Sequence, residues 1–281
     1  FITAVTENGS GAVTDQPGVV TINNPLIDMR AKRIEQMRQA TQPTGVKDLS
    51  LDENGRQSTA NCYVITAPGT YSFPLVYGNA IKNGVKNESA YKVTNLLNGF
   101  TLTNFQDSKG NISQPKINGV KKVEMVELNE TGLITDLQGS TSTGEVTFKV
   151  PQANLKEGNV LIRALDNNDK VLWSWHLWFT SEDVINTSTS YFALEPLGYR
   201  HTKWEKTSYD QTRTITLKFK NEVGTIITKS FTIAAFEDRQ GTAPYYQHGR
   251  KDPFVLGKIT YQPNAYYQGM TLKEAVGAPL L

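Results

Sequence analysis

Five short runs between residues 120 and 180 place the strongest constraint on this chain. The runs 120–128, 133–137, 145–150, 160–165 and 171–180 are strand-length, rich in Val, Leu, Ile, Phe and Trp, and parted by turn residues. Repeated strands at this spacing point to a β-sandwich. Within Glu145-Val146-Thr147-Phe148-Lys149-Val150 polar and apolar residues alternate, so one face of that strand looks to water. Asp166-Asn167-Asn168-Asp169 divides the last two runs and reads as a hairpin loop rather than a calcium loop, which needs carboxylates at alternate positions.

The last run is the most unusual. In Trp173-Ser174-Trp175-His176-Leu177-Trp178-Phe179 a period of two puts Trp173, Trp175, Leu177 and Phe179 on one face and Ser174, His176 and Trp178 on the other. The first face is core. The second is either a stacking platform for a sugar ring or a seam beneath another part of the chain.

On either side the pattern is looser. Residues 1–58 read either as an extended arm or as holding a helix, with Asn24 as its cap, Pro25 at its first position and Leu26, Met29/Arg30, Ile34 and Met37 at helical spacing. Residues 62–66 and 71–77 read as strands, and Pro74 argues that the second lies at an edge or bulge. Asn83-Gly84, Asn98-Gly99 and Asn118-Gly119 suit tight hairpins. Residues 212–220 and 225–235 form a hairpin, and 271–276 a short helix. The expected fold is mainly β: an N-terminal arm or remnant of a preceding segment over 1–58, a β-sandwich domain over 59–184, and a smaller β-rich or α+β C-terminal domain over 185–281. Phe1 opens strand-like sequence, so a targeting segment and a further domain are expected to be missing upstream.

Composition narrows function by exclusion. Of 281 residues 38% are hydrophobic and 10% aromatic, enough for an ordinary core. A net charge of +2 lacks the basic stripe of a nucleic-acid binder. The one basic cluster, Arg30, Lys32, Arg33 and Arg38, reads as a solvated helix face. Cys62, the single cysteine, precludes an internal disulfide or a cysteine-based zinc site and reads as a small buried hydrophobe. No glycine-rich phosphate loop occurs. Glu182-Asp183 and Glu237-Asp238 are adjacent pairs, which a strand would turn to opposite faces, a poor arrangement for acid–base chemistry. No catalytic residue, metal ligand or cofactor is assigned.

Three segments together resemble a known group. Thr59-Ala60-Asn61-Cys62-Tyr63-Val64-Ile65 with Ala67-Pro68-Gly69-Thr70-Tyr71 and Pro74-Leu75-Val76-Tyr77-Gly78-Asn79 resembles a segment of Bacteroidetes fimbrillin-like surface proteins. Leu172-Trp173-Ser174-Trp175-His176-Leu177-Trp178 resembles a later strand of that group, and Tyr245-Tyr246-Gln247-His248-Gly249-Arg250-Lys251-Asp252-Pro253-Phe254 the motif that follows it. Residues 1–58 and 195–240 depart from the pattern. The resemblance implies an exported cell-adhesion or fimbrial lipoprotein associated with the outer membrane, built of β-sandwich domains, with a C-type-lectin-like or related α+β tail. It also implies assembly by strand exchange, in which a sheet edge accepts a strand from another subunit.

The reading that follows is a non-catalytic adhesin or pilus-associated subunit. Its partners are other pilus or surface subunits joined by strand addition, with no nucleic acid and no membrane contact except through a lipid anchor absent from this sequence. The alternative is a carbohydrate-binding accessory protein of a polysaccharide-uptake system, with host or dietary glycans as ligands. Trp178, Tyr199, Trp204, Tyr245, Tyr246 and Arg250 are the candidate ligand-binding residues. His201, Trp204 and Glu205 with Tyr199 form either a pocket lining or a turn of mixed polarity. Arg250 forms either a clasp on a buried carboxylate or an exposed contact beside the two tyrosines.

Overall fold

The computed structural model describes residues 2–7, 22–90, 114–186, 193–246 and 253. The fold is mainly β. In chain order the elements are β1 (Ile2–Glu7), β2 (Leu26–Asp28), α1 (Met29–Gln39), β3 (Val46–Asp48), β4 (Cys62–Ile65), β5 (Gly69–Pro74), β6 (Ile81–Lys82) and β7 (Val85–Lys86). They continue with β8 (Lys122–Glu127), β9 (Thr135–Gly139), β10 (Glu145–Val150), β11 (Gly158–Leu165), β12 (Val171–Phe179), α2 (Glu182–Ile185), β13 (Arg200–Thr207), β14 (Arg213–Lys220), β15 (Ile226–Ile233) and β16 (Glu237–Thr242). Among the described residues no helix is long and apolar enough to cross a membrane.

The chain divides into two compact units, each drawn from separated segments: Phe1–Lys32 with His201–Gly241, and Arg33–Arg200 with Thr242–Leu281. These boundaries differ from divisions at 58 and 184. The reason lies in strand pairing, because β1 joins β14 from the far half of the chain and β2 joins β13.

The larger unit holds two four-stranded sheets, ordered β3-β5-β10-β9 and β4-β12-β11-β8. Their inward side chains fill one core. Phe73 of β5 meets Trp175 of β12 at 5.0 Å between ring centres, and Tyr63 of β4 stacks on Phe73 at 5.1 Å. Both Phe73 and Trp175 are fully buried. Such ring pairs contribute about 0.5–1.5 kcal/mol each beyond the area they bury. All nine residues of β12 are buried, so it is covered on both faces. Pro74 ends β5, which lies between β3 and β10 and is not an edge strand. The proline is tolerated because β3 pairs only with Thr70, Tyr71 and Ser72. At Asn83-Gly84 both residues have positive φ, 53° and 80°, and join β6 to β7 in the tight turn expected there.

The smaller unit contains two three-stranded sheets, β1-β14-β15 and β16-β13-β2. Leu26–Asp28 is strand rather than the first turn of a helix, and α1 starts at Met29. Asp28 is the cap, accepting the backbone N–H of Ala31 at 2.8 Å, a role for which Asp is at least as good as Asn. With Asp28 capping, Leu26 and Ile27 are left to pair with Thr207 and Lys206 of β13.

The turn expected at 98–99, the helix expected at 271–276, Arg250 and the stretch 247–252 lie outside the described residues.

Candidate functional site

The unusual strand resolves as a seam. Trp178 is 2% exposed and its indole N–H donates to the Tyr199 carbonyl at 2.9 Å. It therefore cannot stack a sugar, which corrects its place among ligand residues. On the strand's outer face Trp178 is met by Tyr199 and His176 by Tyr246. Asn159 Nδ2 donates to the Gly198 carbonyl at 2.8 Å, and a Cβ on Gly198 would stand 2.5 Å from Pro244 Cγ. Tyr199 thus supplies its carbonyl to Trp178, with its side chain half-buried. Both tail tyrosines are exposed, Tyr245 at 62% and Tyr246 at 37%, but Tyr246 directs its hydroxyl to His176 Nδ1.

His176 sits at the centre of this seam. Its Nε2 lies 2.8 Å from Asn159 Oδ1. Because Asn159 spends its NH2 on Gly198, its oxygen is the acceptor, so Nε2 carries the proton and Nδ1 accepts from Tyr246. Cys62 Sγ lies 3.4 Å from the same Nδ1. A cysteine beside a histidine suggests a nucleophile, but burial works against both partners. It pushes the Cys62 thiol up to about 12 and His176 down to about 3. At neutral pH the pair is a thiol and a neutral imidazole, the opposite of the thiolate–imidazolium pair that nucleophilic catalysis needs.

Below the seam is a buried ion cluster that the sequence reading missed. Arg33, on α1, donates to Glu195 at 2.7 Å and to Glu157 at 3.1 Å, with Asp183 at 3.4 Å. The Arg33, Glu157 and Glu195 side chains are almost completely withdrawn from water. Burial alone would lower the arginine, but the two glutamates outweigh it and hold the guanidinium above its ordinary value. The basic helix cluster is consequently not a solvated face. Arg33 is its buried member, and Arg38 donates to the Leu155 carbonyl at 3.0 Å. Nothing in the spacing of single carboxylates at 157 and 195 marks them as partners.

In the smaller unit, Trp204 is the other sequence-selected aromatic. His201 stacks on its ring at 4.7 Å and 17°, and the Arg239 guanidinium carbon lies over it at 4.7 Å. Arg239 Nε donates to His201 Nε2 at 2.8 Å. That short contact makes imidazole and guanidinium neighbours, so both lie against the same side of the indole. The indole N–H donates to Glu237 at 2.5 Å. The half-buried ring is thus held at one face and one edge. Nearby, Lys203 bridges Asp238 at 2.8 Å and Glu205 at 3.2 Å, which holds its ammonium above and Asp238 below their ordinary values. Glu205 is therefore an ion-pair partner on β13.

The same unit presents a strand that is open to solvent. β15 pairs with β14 from Arg213↔Ile233 to Lys220↔Ile226, and among the described residues no strand flanks its other side. Six of its eight residues are exposed, including Ile226 at 62% and Phe231 at 39%. Register places Ile227, Lys229, Phe231 and Ile233 on one face with Ile215, Leu217 and Phe219, and Ile226, Thr228, Ser230 and Thr232 on the other. Compared with known proteins, the chain matches no family model, no curated protein and no solved structure.

Proposed function

We propose that this chain is a non-catalytic, exported surface-attachment or pilus-associated subunit of the fimbrillin-like kind, and that it works by adding a strand at β15. One observation carries the reading: among the described residues, an eight-residue strand with one side apolar but for Lys229 stands at a sheet edge and is exposed along most of its length. Unpaired N–H and C=O groups in a row form a template for another chain, and folded proteins normally cover or charge such an edge. The backbone supplies affinity in strand addition, and alternate side chains supply specificity. Immunogold electron microscopy on cells making the full-length protein tests the assignment. Gold along filaments or at their tips supports a pilus role. Gold spread over a bare outer membrane favours the second reading below, and cells without surface gold overturn the surface assignment.

The second reading, a carbohydrate-binding accessory protein, is favoured by Trp204. An indole fixed beforehand by His201, Arg239 and Glu237 loses little freedom when a sugar stacks on it. Titrating the protein with a panel of soluble polysaccharides while following tryptophan fluorescence tests it. A saturable change that disappears in Trp204→Ala supports this reading. A flat response across the panel removes it.

A further inference from the structure

We infer that the strand added at β15 is the β15 of a second copy of this chain, laid antiparallel about a two-fold axis through Ser230. The inference rests on the strand-addition reading and names its partner and its register.

The backbone limits the registers. Asn221 donates its N–H to the Thr225 carbonyl at 3.0 Å, which makes these two a hydrogen-bonded pair at the head of the β14–β15 hairpin. Bonded pairs recur at every second residue of an antiparallel ladder. The register runs without a break from Lys220↔Ile226 to Arg213↔Ile233, so Ile227, Lys229, Phe231 and Ile233 turn their backbone groups to β14. Ile226, Thr228, Ser230 and Thr232 point theirs outward, where no other described strand takes them up. Two copies bond only when one outward row faces the other. A slip of one residue sets an outward row against groups already bonded to β14, and it also opposes the two unlike faces.

Side chains choose among the registers that remain. Two of these overlap all but one residue of β15. The first centres on Lys229 and sets its ammonium against its own symmetry mate at the narrow spacing of a pair without hydrogen bonds, and like charges directly opposite destabilise a sheet. The second centres on Ser230. There Ser230 meets Ser230 and Thr228 meets Thr232, hydroxyl against hydroxyl, with their backbone bonds exchanged. On the other face Ile227 meets Ile233, and Lys229 meets Phe231 as a cation beside an aromatic ring. A lysine on an open edge ordinarily resists addition. In this register Lys229 gains a counterpart, so the same residue admits a second copy and opposes a strand that offers no ring there. The two-fold axis keeps like faces together, and Ile227, Phe231 and Ile233 of both copies form one apolar side across the seam. A net charge of +2 does little to keep the copies apart.

Sedimentation velocity of the whole chain, from micromolar to millimolar concentration, tests the partner, and cysteine cross-linking under mild oxidation tests the register. The unsubstituted chain is expected to pass from monomer to dimer without larger species, because a two-fold contact uses up both edges. Ser230→Cys is expected to give a disulfide dimer joined at the substituted positions, whose Cα atoms lie about 5.5 Å apart in a hydrogen-bonded pair, within disulfide reach. Thr228→Cys alone is expected to stay at the background that Cys62 sets in the unsubstituted chain, and to cross-link when mixed with Thr232→Cys. Phe231→Lys sets a lysine against Lys229 twice over and is expected to weaken the dimer by about 2- to 30-fold, the weight of two cross-strand pairs. Phe231→Glu loses the same ring but offers Lys229 the opposite charge, and is expected to hold the dimer better than Phe231→Lys. A chain that stays monomeric at millimolar concentration overturns the proposal. So does a dimer in which Ser230→Cys links no better than background, or one that both substitutions at Phe231 weaken alike. If the chain is monomeric and cells carrying Phe231→Lys still lose their filaments, the second copy falls as partner while strand addition at β15 stands. A monomeric chain whose filaments survive Phe231→Lys removes both.

Discussion

Arg33 and Glu195 face each other at 2.7 Å with both side chains removed from water, joining α1 to the segment that leads to Tyr199. With Glu157 at 3.1 Å the arginine serves two buried carboxylates, so its loss would take a cation from both. Removing one partner of a buried ion pair costs about 3–5 kcal/mol, because the survivor keeps its charge and loses its compensation. Arg33→Ala is therefore expected to lower unfolding free energy in urea by about that amount. Lys149→Ala, which breaks the solvent-exposed bridge to Asp136, is expected to change the curve little. Equal effects from the two substitutions would refute a structural role for the buried cluster.

The junction of the two sheets makes a separate prediction. Phe73 touches Tyr63, Phe148 and Trp175, and none of its surface reaches solvent. Phe73→Ala is expected to cost about 3–5 kcal/mol, the sum of lost transfer energy and the cavity left behind. Phe73→Leu should recover more than half of that. The check is urea unfolding of both variants; a cost below about 1 kcal/mol for alanine would mean the rings do not share a core.

These two cases show what a reading of residues alone can reach. Trp175 was legible as core because a period of two isolates it with Trp173, Leu177 and Phe179, and β12 runs over Val171–Phe179 within one residue of expectation. The strand β13 was not legible, since Arg200-His201-Thr202-Lys203-Trp204-Glu205-Lys206-Thr207 has no apolar alternation. It is a strand because β2 and β16 flank it, a tertiary cause. For the same reason Leu26–Asp28 looked helical until its partner was known. Trp178 was legible as one of two alternatives, platform or seam, and only its burial against Tyr199 decides between them. The cluster joins Arg33 to glutamates 124 and 162 positions away, and no local pattern encodes such a meeting.

Gly198 tests the segment that meets Trp178. Its φ of +79° disfavours any side chain, and a Cβ there would approach Pro244 Cγ to 2.5 Å and Asn159 Oδ1 to 3.0 Å. Gly198→Ala is expected to destabilise the larger unit by about 1–3 kcal/mol through backbone strain. Gly45→Ala, with a φ of +71° and open space around it, carries the strain without the clash and is expected to cost less. Thermal unfolding of the pair separates the two contributions. If Gly198→Ala is no worse than Gly45→Ala, Pro244 does not press on that site.

At the edge strand, charge should block assembly without harming the fold. Phe231 is 39% exposed and pairs across from Ile215 of β14, on the face that also carries Ile227, Lys229 and Ile233. That face already carries Lys229; a second lysine is tolerated in the monomer, where its ammonium can reach water, but replaces an apolar contact with a further charge where a strand would add. Phe231→Lys is therefore expected to unfold at nearly the same temperature as the parent and to form fewer filaments or oligomers in sedimentation and electron microscopy. Thr232→Lys, on the polar face beside Thr228 and Ser230, changes charge equally and is expected to leave assembly in place. Because the two substitutions are adjacent and alike in charge, only their facing differs. Loss of assembly in Phe231→Lys alone locates the contact on the apolar face of β15. Loss in both attributes it to net charge, and loss in neither removes β15 as the site of strand addition.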